Sequence, residues 1–205
     1  DGTVTTFAIV AGVKGADLST ATILILGASN VFADGFSMAA GNYLGVKTEQ
    51  DERDVVLDYE RKQIEQHPQG EIEEIREIYR AKGFQGEHLE KTVEILTQDQ
   101  ELWLKTMLQE EYGMDTQKLS PLKSGLVTFF AFLVFGAIPL TPFLFENIHS
   151  FEISLVLTAM AFFLLGALKS IWSLEKFWLS GFKTLFIGSL AAAISYYIGD
   201  IIEKM

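Results

Sequence analysis

DGFSMAAGNYLGVKTEQDE, residues 34–52, starts inside an apolar stretch and ends in a run of acids. Followed backwards, the apolar stretch reaches residue 18. That makes 18–46 longer than the roughly 20 residues a membrane-spanning helix needs. Asn30, Asp34 and Met38 stand at i, i+4 and i+8 within it and so share one helix face. A soluble core helix would avoid Asp34, and a passive anchor has no use for it. An ionisable group at bilayer depth usually marks an ion or substrate path. Two oxygens followed by a soft thioether suit a borderline transition metal better than Na⁺ or Ca²⁺. The competing reading is that Asn30 and Asp34 bond to a neighbouring helix and Met38 only packs.

Outward from this stretch the chain divides sharply. Of its 205 residues 49% are hydrophobic, and the formal charge is −11. Mean hydropathy is +0.24, high for a soluble domain of this size. Residues 47–120 hold 19 of the 27 acids and 10 of the 16 basic residues, a formal charge of −9, and the flanks are nearly uncharged. An acidic surface excludes nucleic acid as a partner and suits cations. With no cysteine there is no disulfide framework, thiolate site or thiol nucleophile.

The pattern reads as all-α: a polytopic membrane protein with a helical insert. Apolar segments follow the insert at 122–145, 153–174 and 179–202. The segment 3–13 is too short to span about 30 Å. It reads as the end of a truncated first membrane helix, giving five transmembrane helices, with a short interfacial piece as the alternative. The expected organisation is transmembrane helices 1 and 2 in residues 1–48, an acidic helical domain in 49–119, and helices 3 to 5 in 120–205. The loop 146–152 has no Lys or Arg, whereas Lys169, Lys176 and Lys183 cluster on the opposite side. The bias toward basic residues on the inner side places the insert in the cytoplasm. In a prokaryotic cell the membrane is the plasma or inner membrane. Pro139 and Pro142 break the third span late, and carbonyls freed there are available to face a path. Gly188 with Ala192, and Ser189 with Ala193, form small-xxx-small pairs suited to close helix packing.

The insert reads as four helices, at 51–66, 71–82, 88–98 and 99–112, with His67-Pro68-Gln69-Gly70 as a break. Its apolar stripes are Val55, Val56, Tyr59 and Ile64, then Ile72, Ile75, Ile78 and Tyr79, then Leu102, Trp103, Thr106 and Met107. Glu60 with Gln63, Glu71 with Glu74, and Met107 with Glu111 are three or four apart and share helix faces. Such carboxylates repel unless a cation bridges them, although any one Glu on an acidic helix is ordinarily just solvated. His67 and His88 read as surface residues. GxSxG, P-loop, HExxH and GxGxxG motifs are absent, so the chain does not read as an enzyme or an ATP-driven pump.

The sequence resembles the vacuolar iron transporter family over nearly its whole length. The likeness rests on DGTVTTFAIVAGVKGA, FSMAAGNYLGVKTEQDE, WLKTMLQEEYGM, PLKSGLVTFFAFLVFGAIPLTPF and GSLAAAISYYIG, in that order. The resemblance implies a homodimer in the lipid bilayer with an ion path at the dimer interface. It implies export of Fe²⁺ from the cytosol against protons, with Mn²⁺, Zn²⁺ or Co²⁺ as further candidate ions, and a cytoplasmic metal-binding domain. Position by position, it puts path residues at Asp1 and Met38. Asn30 stands where plant members have an acid, and Asp34 one turn on is a candidate substitute. It puts insert ligands at Glu60, Gln63, Glu71, Glu74, Met107 and Glu111, with Gln63 departing from the family's Glu. The alternative function is a membrane-anchored metal sensor or buffer that does not transport.

Overall fold

The computed structural model describes residues 1–117, 119–145 and 148–205. The helices are α1 (Gly2–Gly15), α2 (Thr20–Gln66), α3 (Pro68–Ala81), α4 (Gly86–Gln98), α5 (Gln100–Glu110), α6 (Pro121–Ala137), α7 (Ser150–Lys169) and α8 (Phe177–Glu203). A 3₁₀ segment, Ile138–Phe145, continues α6, and a short one, Ser170–Trp172, continues α7. No strand occurs among the described residues. Four stretches are long and apolar enough to cross a membrane: Thr20–Gln66, Pro121–Phe145, Ser150–Trp172 and Phe177–Glu203. The 14 residues of α1 rise only about 21 Å. The protein is thus an all-α, multi-pass membrane protein.

The chain forms two compact units, Asp1–Asn42 with Leu122–Met205, and Tyr43–Pro121. In the first unit, Phe7, Val10, Ala11 and Val13 of α1 pack with Ile23, Val31, Leu140, Phe143 and Ala192. Meanwhile Phe36, Phe130, Leu164 and Phe186 are exposed. An apolar exterior around a core rich in small residues suits a helix bundle whose solvent is lipid. Close approach of backbones sets the packing. A Cβ added at Gly199 would fall under 3.0 Å from the Gly12 carbonyl oxygen, and one at Gly15 equally close to that of Tyr196. Both glycines therefore let α1 lie directly on α8. Gly199→Ala is expected to lower the melting temperature in detergent by about 5 °C, because backbone cannot yield as a side chain tip would. An unchanged melting curve would show that α1 is not held there. Of the small-xxx-small residues, Gly188 and Ala192 are buried, whereas Ser189 and Ala193 are exposed.

The two prolines shape the end of the third span differently from expectation. Pro139 has no N–H for the Phe135 carbonyl, and Thr3 Oγ1 donates to that oxygen instead at 2.9 Å. In the 3₁₀ segment, bonded i to i−3, Pro142 likewise deprives the Pro139 carbonyl, and the Ile138 carbonyl also accepts the Thr141 hydroxyl, at 2.8 Å. Ser154 Oγ donates to the Pro139 carbonyl at 2.6 Å. These carbonyls are therefore each bonded by a hydroxyl. In hydrocarbon an unmet carbonyl costs several kcal/mol, so hydroxyls on adjoining segments are recruited.

The second unit is built on Ile64, Ile75, Leu89, Val93, Trp103, Leu104 and Met107. Several sequence boundaries shift. α2 runs unbroken from Thr20 through Gln66, so 51–66 continues the second span rather than forming a separate helix. Pro68 occupies the first turn of α3, where its missing N–H costs nothing, so the break shrinks to His67. Asp99 caps α5, accepting from the backbone N–H of Glu101 at 2.9 Å and Leu102 at 3.3 Å. Gly113, with φ +64°, ends the α5 turn, and Met114 N–H reaches back to the Leu108 carbonyl at 2.9 Å. The inner face of α5 is Trp103, Leu104, Thr106, Met107 and Leu108, with Leu102 turned outward. Val55 and Tyr59 of α2 are exposed too, because the insert packs on the Glu60–Ile64 side.

A buried carboxylate cluster as candidate metal centre

Three elements of the second unit bring acids together. α2 supplies Glu60, α3 supplies Glu71 and Glu74, and α5 supplies Met107 and, at its C-terminal cap, Glu111. Glu60 is 2% exposed, Glu71 7% and Met107 0%. Buried carboxylates ordinarily find donors, since desolvating a charge costs several kcal/mol unless something offsets it. Here Tyr112 Oη donates to Glu60 Oε1 at 2.7 Å. Glu60 Oε2 and Glu71 Oε2 are buried with no protein partner.

The acids act on one another electrostatically. Burial, then the neighbouring carboxylates of Glu74, Glu60 and Glu111, push the Glu71 carboxyl up to about 7. Glu111 is also held above the usual carboxylate range, by burial and then by Glu60 and Glu74, with Tyr112 working against the rise. The Tyr112 phenol is raised by burial and by its bond to Glu60. The unit thus concentrates negative charge around two bare buried oxygens, with Glu74 and Glu111 exposed. Among the described residues no three His, Asp or Glu side chains already stand as a closed ligand cage.

Gln63 is half-buried and turned to α2 itself, its Nε2 donating to Tyr59 Oη at 2.7 Å. His67 and His88 are exposed. Tyr112 escaped the sequence reading; an aromatic beside Glu111 and ahead of Gly113 was the only signal. Its bond to Glu60 spans 52 positions and is not encoded in any local spacing.

In the first unit, Asp1 is exposed at the start of α1 and makes no capping bond. Asn30 is half-buried, and its Nδ2 donates to Thr5 Oγ1 of α1 at 3.4 Å, so it does bond to a neighbouring helix. Asp34 is half-buried, one turn further along the same face of α2, and Met38 is 45% exposed. No described hydrogen bond or ion pair joins Asp1 to Asp34.

The chain's relatives agree in kind. A vacuolar iron transporter of Toxoplasma gondii is 33% identical over 217 residues, covering 99% of this chain and 71% of that protein. Vacuolar iron transporter 1 of Arabidopsis thaliana is 30% identical over 208 residues, covering 99% and 82%. A vacuolar iron transporter of Plasmodium falciparum is 29% identical over 216 residues, covering 100% and 79%. The VIT family profile matches residues 1–200, and the chain belongs to the VIT family.

Proposed function

We propose that this protein moves Fe²⁺, and Mn²⁺ with it, out of the cytosol in exchange for protons. The observation that carries the reading is the pair of buried, unpartnered oxygens, Glu60 Oε2 and Glu71 Oε2, in the unit whose core includes the fully buried Met107. The iron-transporter names of the relatives support Fe²⁺ as cargo. Glu60, Glu71, Glu74, Met107 and Glu111 hold the ion in a cytoplasmic insert. The carbonyl oxygen of Gln63 joins them, because its amide nitrogen is engaged by Tyr59. Carboxylate oxygens and a thioether suit Fe²⁺ and Mn²⁺, and admit Zn²⁺ and Co²⁺. The ion then enters a path lined by Asp1, Asn30, Asp34 and Met38, at the interface of a homodimer. Metal and proton compete for the same oxygens. A carboxylate that releases its metal therefore takes up a proton, which couples the two fluxes when access alternates.

The test is flux into proteoliposomes holding a metal-quenched dye, with Mn²⁺ or reduced Fe²⁺ outside. Entry is expected to rise about tenfold when the interior is made one pH unit more acid, following the proton-to-metal exchange. Metal binding without flux in any gradient would overturn transport and leave a membrane-anchored sensor or buffer.

A further inference from the structure

Tyr112 has no part in the reading above, yet it makes the one described hydrogen bond to Glu60. A carboxylate offers two oxygens and can bind a cation through one or both. At Glu60 the two are not equivalent. Oε1 accepts from the Tyr112 phenol at 2.7 Å, while Oε2 is buried and bare. The donated hydrogen draws charge from Oε1 and holds the carboxylate plane, so that Oε2 is the oxygen presented to an ion. Glu71, a carboxylate that Glu60 acts on electrostatically, also presents a bare Oε2.

Ions differ in what they ask of such a site. Ca²⁺ takes six to eight oxygens and is commonly served by a carboxylate binding through both. Transition-metal ions need fewer oxygens and accept the softer sulfur of Met107. We propose that Tyr112 is a specificity-determining residue: by engaging Glu60 Oε1 it restricts that carboxylate to one metal-binding oxygen and so discriminates against Ca²⁺ in favour of Mn²⁺ and Fe²⁺. This rests on the insert acids being the ligands, as proposed above. Tyr112 itself acts through Glu60 and does not touch the ion.

The experiment follows Mn²⁺ binding by the loss of its free-ion paramagnetic resonance signal, using the whole purified protein in detergent and Ca²⁺ as competitor. Tyr112→Phe keeps the ring and removes only the donor. The ratio of Ca²⁺ to Mn²⁺ association constants is expected to rise about tenfold, the scale of one hydrogen bond to a charged group. Tyr79→Phe, which removes a hydroxyl from a ring that meets Phe84 edge-on and has no described hydrogen bond to Glu60, leaves the ratio unchanged. Equal weakening of both ions in Tyr112→Phe would mean a merely structural tyrosine and overturn the proposal, as would an unchanged ratio. Glu71→Ala with Glu74→Ala separates the two readings. If that pair leaves Mn²⁺ binding intact, the ligand assignment falls and the role of Tyr112 with it. If the pair abolishes binding while Tyr112→Phe keeps the wild-type ratio, only the role of Tyr112 falls.

Discussion

Glu71→Gln is expected to stabilise the metal-free protein above pH 7 and at the same time to weaken its hold on divalent ions. Glu71 ionises at about 7 in the fold, against 4.5 for the free side chain, because burial and three neighbouring carboxylates disfavour its charge. Between these two values the folded protein binds more protons than the unfolded chain. Stability therefore falls as pH rises through that window and levels off above about 7. The wild-type melting temperature should drop between pH 5 and pH 7.5, and Gln, which never ionises, should flatten the drop. A gain of ~3 °C at pH 8 is the expected scale for relieving one such charge in a chain of this size. The same substitution removes a charged oxygen, so Mn²⁺ affinity should fall at least tenfold, a scale on the order of losing even an outer-shell metal partner. Differential scanning fluorimetry with and without Mn²⁺ reads both effects. Equal pH slopes in wild type and variant would show that Glu71 does not carry the burial cost. This trade of stability for a binding site is what a strained acidic cluster implies.

Asp34→Ala combined with Met38→Ala should reduce proteoliposome flux to the level of empty vesicles while leaving Mn²⁺ binding by the insert unchanged. A carboxylate at the centre of a span costs about 3 kcal/mol on the insertion scale. Asp34 is half-buried and has no described bond to offset that cost. Met38, one turn on, presents its thioether at 45% exposure. Both lie on one face of an unbroken α2, so their relation is set by helix geometry rather than by side-chain contacts. Persistent flux in the double variant would remove the path from this face. Loss of insert binding in the same variant would mean that the substitutions disturb more than the path.

Much of this was legible because the signals are local. An apolar run of 29 residues, a sudden rise in charge and apolar spacing of three to four are visible in neighbouring letters, and they led to an all-α membrane protein with a helical acidic insert. Pro68 misled because the same residue that ends one helix is also favoured in the first turn of the next. Val55, Tyr59 and Leu102 misled because spacing defines a stripe but not which of two adjoining stripes meets the partner helix. The hydroxyl donors of the proline-freed carbonyls were not legible because they come partly from Thr3 and Ser154, on other segments.

The sequence by itself determined the helical class, the four long apolar stretches, the acidic character of the insert and the family. The first three follow from composition and periodicity, which backbone hydrogen bonding and solvent preference translate into structure without reference to distant residues, and the family follows from the resemblance of its motifs in order. Only the tertiary structure decided that Glu60 and Glu71 are buried while Glu74 stays exposed, that Gln63 turns to Tyr59, that Asn30 bonds to Thr5, and that Tyr112 holds one oxygen of Glu60. A carboxylate's desolvation and its partners depend on what packs against it from other helices, and no spacing along one helix records that.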